Sequence, residues 1–302
     1  MATAGRRIVI VAALAALIAA CGSSDSSSAT ATATAKQTAT AAQAAASCPA
    51  AGISDLEGGF IRTPSGAQPG RTPLIVAILP GGVGDRGDRL GLGRAATKQG
   101  FAVLYPTRSG GVFWTLNNSQ GRTDVENVTA LLDRVIAAGC VDPDRISITG
   151  VSNGAGFATR MSCELPTRFA ALVPVAAGYR SLDPCPASAR ASFLAIHGSA
   201  DTVVPYNGKT VDDHAGSVPR YTARRAKRDG CSDDPRTTHP RALVTRVVYR
   251  GCDAGLRVEI LRLSGTDHGW PGAGPPRPDD NPSKVSATTE LLRFVKGARR
   301  VG

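Results

Sequence analysis

Gly150-Val151-Ser152-Asn153-Gly154 places a serine midway between two glycines. Ile146-Ser-Ile-Thr149 before it has the apolar pattern of a short strand, and Phe157-Ala-Thr-Arg-Met161 after it reads as helix. A nucleophilic serine on a sharp strand-to-helix turn needs glycine at these flanking positions, where side chains would collide with the chain. Its hydroxyl also needs a base, and the chain has four histidines. His268, in Gly265-Thr-Asp-His-Gly-Trp-Pro-Gly272, follows the apolar run Val258–Leu263. It falls in a loop beyond a strand, where a late general base belongs; the plainer alternative is a surface loop histidine. His197 ends a strand in Ile196-His197-Gly198 and is expected to pack or hydrogen-bond there. His214 and His239 stand in polar stretches.

A carboxylate must orient that imidazole and stabilise its charged form. Asp201 follows the strand Phe193–Ile196 and fits the role, with a solvated loop carboxylate as the alternative. Asp267 adjoins His268, but adjacent side chains point apart, and Asp142 and Asp144 precede a strand, at the opposite end of a sheet. An oxyanion needs backbone donors, expected from the Asn153 N–H at the helix start and from Gly82 in the turn Pro80-Gly81-Gly82. Trp114, Tyr206 and Trp270 are expected in loops around Ser152, either lining a substrate cleft or packing the loops.

Short apolar runs alternating with helical patterns position these residues. Leu74–Leu79, Phe101–Tyr105, Ile146–Thr149, Ala170–Ala176, Phe193–Ile196, Leu243–Tyr249 and Val258–Leu263 read as strands. Val125, Val128, Leu131, Leu132, Val135 and Ile136 recur at helical spacing before Gly139, and Leu291, Leu292, Phe294 and Val295 suggest a closing helix. The alternation predicts an α/β fold with a doubly wound, mostly parallel sheet.

The N-terminus has a different character. Arg6 and Arg7 precede 13 apolar residues, Ile8–Ala20, too few to span a bilayer and typical of an export signal. The signal, residues 1–20, ends as Ile18-Ala19-Ala20-Cys21, a tetrad that resembles the bacterial lipobox and so implies lipidation of Cys21. Residues 21–47 are nearly all Ser, Ala and Thr, a composition expected of a disordered tether, which leaves 48–302 as the folded domain. Of seven cysteines, six then remain, an even set that suggests three disulfides outside the cytoplasm. Six cysteines admit many pairings. The expected set is Cys231–Cys252, bridging a helix end to a strand end, with Cys163–Cys185, and Cys48–Cys140 as the remainder.

The formal charge of +11 falls to +9 once Arg6 and Arg7 leave with the signal. Arg220, Arg224, Arg225, Lys227 and Arg228 form the densest basic run, expected as a solvated helix face that could meet an anionic polymer or lipid surface. No zinc-protease helix, P-loop or dinucleotide fingerprint occurs, so neither metal nor organic cofactor is expected, and no motif points to nucleic acid.

Together the segments Val141–Gly154, Phe169–Ala176, His197–Asp201, Val204–Tyr206, Tyr249–Cys252 and His268–Gly272 resemble the bacterial polyhydroxybutyrate depolymerase and feruloyl/acetylxylan esterase-like group of α/β-hydrolases. The resemblance implies a secreted serine ester hydrolase with a Ser152–Asp201–His268 triad, acting on a polyester oligomer or an acylated polysaccharide at the cell surface. A peptidase or lipase of the same fold is the alternative within enzymes, and a non-catalytic binding lipoprotein the alternative outside them. Two departures stand out: Leu79-Pro80-Gly81 replaces the group's Leu-His-Gly, and only Phe113 and Trp114 match its aromatic loop. Proline removes an N–H and fixes φ, which bears directly on the oxyanion turn.

Overall fold

The computed structural model describes residues 48–301 except 83, 109, 119–120, 180–184, 209–215 and 275–280. The expected signal, the lipidated Cys21, the tether and His214 lie outside the described residues. Fifteen principal elements run in the order β1 (Gly52–Leu56), β2 (Gly59–Thr63), β3 (Thr72–Ile78), α1 (Leu92–Lys98), β4 (Ala102–Pro106), α2 (Thr123–Ala137), β5 (Val141–Val151) and α3 (Asn153–Glu164). They continue with β6 (Ala171–Val175), β7 (Ser192–Gly198), α4 (Val218–Arg228), β8 (Arg236–Arg241), β9 (Val244–Tyr249), β10 (Val258–Leu263) and α5 (Ala287–Val295).

The strands form one sheet in the order β1-β2-β4-β3-β5-β6-β7-β10-β9-β8. Its middle, β4 to β10, is parallel throughout. Antiparallel strands extend both edges, β2 and β1 beside β4, and β9 and β8 beside β10. Parallel strands covered on both faces lose alternation and read as continuous apolar runs. Leu74 to Ile78 are accordingly all buried, and so is Phe193–Ile196.

Two cores result, one on each face. Val125, Val128, Leu131 and Leu132 of α2, Phe157 and Met161 of α3, and Tyr221 of α4 pack on one side. Leu92 and Ala96 of α1 and Leu291, Leu292, Phe294 and Val295 of α5 pack on the other. Such double winding is the α/β-hydrolase arrangement, with functional loops beyond the carboxyl ends of the strands.

Several elements differ from the sequence reading. β5 runs from Val141, well before Ile146, and the β1–β2 hairpin, α1 and β8 went unread. β1 and β8 are mostly exposed edge strands, so little hydrophobic pattern marks them. Of the expected solvated basic face, Arg225 is buried: its Nε lies 3.4 Å from Asp229 Oδ2 and a guanidinium nitrogen donates to the Ala191 carbonyl at 2.8 Å. Cys48–Cys140, Cys163–Cys185 and Cys231–Cys252 are disulfide-bonded.

Candidate active site

The turn between β5 and α3 holds Ser152 at φ 55° and ψ −126°, a strained conformation for a residue with a side chain. It persists because both flanks are glycine. A Cβ on Gly150 would stand 2.6 Å from the Ile78 carbonyl oxygen and from Gly154 backbone atoms, and one on Gly154 would stand 2.3 Å from that same oxygen. The turn thus rests directly on the end of β3.

The loop after β7 carries Asp201, its side chain fully buried. One carboxylate oxygen, Oδ1, accepts the backbone N–H groups of Val203 (3.0 Å) and Val204 (2.7 Å). The other, Oδ2, lies 2.8 Å from His268 Nδ1. On the far side of that imidazole, Nε2 is 2.9 Å from Ser152 Oγ. Burial by itself raises the Asp201 pKa, but the hydrogen bonds from His197, His268 and Val204 outweigh it and hold the carboxyl well below its ordinary range. An ionised Asp201 then fixes the Nδ1–H tautomer of His268 and leaves Nε2 free to accept the serine proton.

His268 reaches this position because β10 pairs in parallel with β7, so their following loops leave the sheet side by side. Gly198 makes the approach possible: a Cβ there would lie 2.1 Å from the Thr266 carbonyl oxygen. Ala200 N–H donates to that carbonyl at 3.1 Å, and Ser199 N–H donates to Leu263 at 2.8 Å. Asp267 turns outward and accepts the backbone N–H of His268, orienting the loop instead of the ring.

The oxyanion turn differs from the sequence expectation. Gly82 N–H donates to the Leu79 carbonyl at 3.2 Å, turned into its own tight turn, and Pro80 has no N–H to offer. Asn153, the first residue of α3, has its amide at the helix N-terminus beside Ser152, while its side chain engages the aromatic loop. Asn153 Oδ1 accepts Trp114 N–H at 2.8 Å, and its Nδ2 donates to the Trp114 carbonyl at 3.1 Å.

That clamp corrects the expectation for Trp114. The indole is 2% exposed, stacks on Phe157 at 4.7 Å and donates its N–H to the Leu79 carbonyl at 2.6 Å. It braces the oxyanion turn from inside and presents no face to a substrate. Its neighbour Phe113, 64% exposed, is the aromatic at the loop's tip. Tyr206 is likewise packed, edge-on to the His197 ring at 5.9 Å behind Asp201 and beneath the Arg262 guanidinium. Trp270 does face a cleft of about 860 Å³, with its indole held by Thr288 Oγ1 at 3.0 Å. Ser152, His268, Leu90, Pro271 and Lys284 also line this cleft; of the prolines after His268, Pro275, Pro276 and Pro278 lie outside the described residues.

Residues 60–204 match the family model described as Esterase PHB depolymerase. Over those residues the chain is similar to that family. The chain is also similar to NocK of Nocardia uniformis subsp. tsuyamanensis, 28% identical over 252 residues, 74% of this chain and 71% of that protein. Poly(3-hydroxyalkanoate) depolymerase C of Paucimonas lemoignei is 24% identical over 247 residues, 70% of this chain and 58% of that enzyme. Feruloyl esterase B of Piromyces equi is 26% identical over 155 residues, 48% of this chain but only 28% of that protein. The chain therefore spans 71% of the first of these relatives, 58% of the second and 28% of the third. Among solved structures, the acetyl xylan esterase from Aspergillus awamori superposes with a TM-score of 0.54 at 18% identity, covering 79% of this chain and 93% of that one, which supports the fold.

Proposed function

We propose that the chain is an exported serine carboxylic-ester hydrolase, held at the cell surface by a lipid on Cys21. One observation carries the catalytic part: a continuous relay from Asp201 through His268 to Ser152, with links of 2.8 and 2.9 Å, at a strained serine turn opening on a cleft. His268 Nε2 takes the hydroxyl proton as Ser152 Oγ attacks the ester carbonyl. Negative charge develops on the carbonyl oxygen next to the N-terminus of α3, where the Asn153 N–H and the helix dipole stabilise it. His268 then protonates the departing alcohol, and water repeats the sequence on the acyl-enzyme.

The names of the relatives favour polyester oligomers and acylated polysaccharides as the substrate class. The three disulfides, one of them closing 92 residues of chain, suit an oxidising compartment outside the cytoplasm. A weakly catalytic or binding protein is the second reading, favoured by Pro80 and the inturned Gly82 amide.

Assays with short-chain nitrophenyl esters, methyl ferulate, acetylated xylan and hydroxybutyrate oligomers test the proposal. Turnover of at least one ester that Ser152→Ala abolishes is expected; a folded wild-type protein inert toward all four, or active only on peptides, contradicts it. Growth with labelled palmitate tests the anchor: label is expected on the protein and absent after Cys21→Ala.

A further inference from the structure

Asp201 Oδ2 serves two histidines. His268 Nδ1 lies 2.8 Å away, and His197 Nε2 lies 3.2 Å away on the other side. The same His197 nitrogen is 2.8 Å from the Val204 carbonyl oxygen. Both neighbours of Nε2 are acceptors, a carbonyl and an ionised carboxylate, so this nitrogen carries a proton and shares it between them. The opposite nitrogen, Nδ1, is buried without a hydrogen-bond partner among the described residues. A proton there would be a buried, unpaired charge, so His197 is a neutral Nε2–H imidazole.

The contacts close a ring. Val204 donates its N–H to Asp201 Oδ1 at 2.7 Å, its carbonyl accepts from His197, and His197 donates onward to Asp201 Oδ2. Each carboxylate oxygen is thereby tied to a different point of one rigid unit, which prevents rotation about the bond to Cβ. His197 is held in turn: it is 1% exposed, sits on β7 opposite Arg262 of β10, and meets the edge of Tyr206. The ionisable groups facing this cluster are Asp201 and His268 themselves, Tyr206, and Arg262 above the Tyr206 ring.

We propose that His197 is a positioning residue for catalysis: it locks the Asp201 carboxylate so that Oδ2 addresses His268, and shares the load of that negative charge. The proposal rests on the triad described above. It assigns to His197 no contact with substrate.

The test compares wild type, His197→Phe and His197→Gln in ester hydrolysis across pH, with Ser152→Ala as the control for the triad. In His197→Phe, kcat should fall about tenfold, the equivalent of one charge-assisted hydrogen bond, with KM within about twofold. Because Asp201 then has one donor fewer to share its charge, it favours imidazolium at His268 more strongly, and the acid limb of kcat/KM moves to higher pH. His197→Gln, whose amide can reach the Nε2 position, should restore most of both. If His197→Phe does not fold, long-range ¹H–¹⁵N spectra of the wild type decide: a protonated Nε2 and a bare Nδ1 on His197 support the lock. A proton on His197 Nδ1 overturns it, as do unchanged kcat and an unchanged pH profile in a folded His197→Phe. A wild type without Ser152-dependent hydrolysis fails earlier and overturns the triad along with it, so the two failures are distinguishable.

Discussion

At the scale of single residues, the site depends on atoms that must come close and on one charge that must stay ionised. Asp201→Asn keeps the shape of its side chain but offers His268 Nδ1 a donor in place of an acceptor. By analogy with serine triads generally, kcat should drop about 10⁴-fold with KM little changed, measured by steady-state ester hydrolysis. The same carboxylate affects stability. Its folded-state pKa lies below the unfolded value, so its ionisation stabilises the fold above the ordinary carboxylate range, about pH 4, and that contribution is lost as pH falls below it. Buried Asp229 works in the opposite sense. Burial raises its pKa despite Arg225 and Arg228 nearby, so its contribution is present at low pH and lost as pH rises through its folded value. Scanning calorimetry against pH should therefore show a shallower acid decline of Tm in Asp201→Asn than in the wild type.

At the scale of elements, the catalytic group depends on two loops lying against each other and on one turn being braced. Gly198→Ala would drive a methyl into the Thr266 carbonyl, 2.1 Å from the ideal Cβ, so the β10 loop and His268 must shift. Hydrolysis should fall at least about 100-fold, since a displacement near 1 Å suffices for that loss. The aromatic loop offers a subtler case. Trp114→Phe retains the stack on Phe157, worth roughly 1 kcal/mol, but leaves the Leu79 carbonyl without its 2.6 Å donor. A looser oxyanion turn should lower kcat about tenfold with KM nearly constant, and thermal denaturation should register about 1 kcal/mol for the lost hydrogen bond, since the Leu79 carbonyl keeps the Gly82 N–H.

Elements also show what was legible in the sequence. Strands buried on both faces announced themselves as apolar runs, and Ser152, Asp201 and His268 stood at their ends with glycine where the turn required it. Edge strands such as β1 and β8 carry polar side chains with little period, and Trp114 and Tyr206 lie in loops whose side-chain directions come from tertiary hydrogen bonds. Gly198, the last residue of β7, carried no sequence signal for its close approach to the Thr266 carbonyl. His197 looked like a packed or bonded histidine, and nothing local revealed that its partner is the carboxylate of Asp201.

At the scale of the whole molecule, a large two-sided core is stapled at three points. Chain entropy ranks the staples: Cys48–Cys140 closes 92 residues and should contribute about 4–5 kcal/mol, whereas Cys163–Cys185 and Cys231–Cys252 close 22 and 21 residues and contribute about 3 kcal/mol each. Paired Cys→Ala variants measured by denaturant unfolding should follow that order. Charge is distributed unevenly. Arg86, Arg94, Arg108, Arg160, Arg246 and Arg300 all sit in ion pairs, which match these cations locally and leave the net positive charge to the remaining basic residues.

The central claim concerns a covalent bond at one atom, and trapping that bond tests it most directly. Acid-quenched protein caught while turning over a short-chain nitrophenyl ester, or labelled with a fluorophosphonate, can be digested and mapped by mass spectrometry. A single adduct on Ser152 is predicted, absent from Ser152→Ala and strongly slowed in His268→Ala. Folded wild-type protein that takes no adduct, or takes it at another residue, would contradict the assignment.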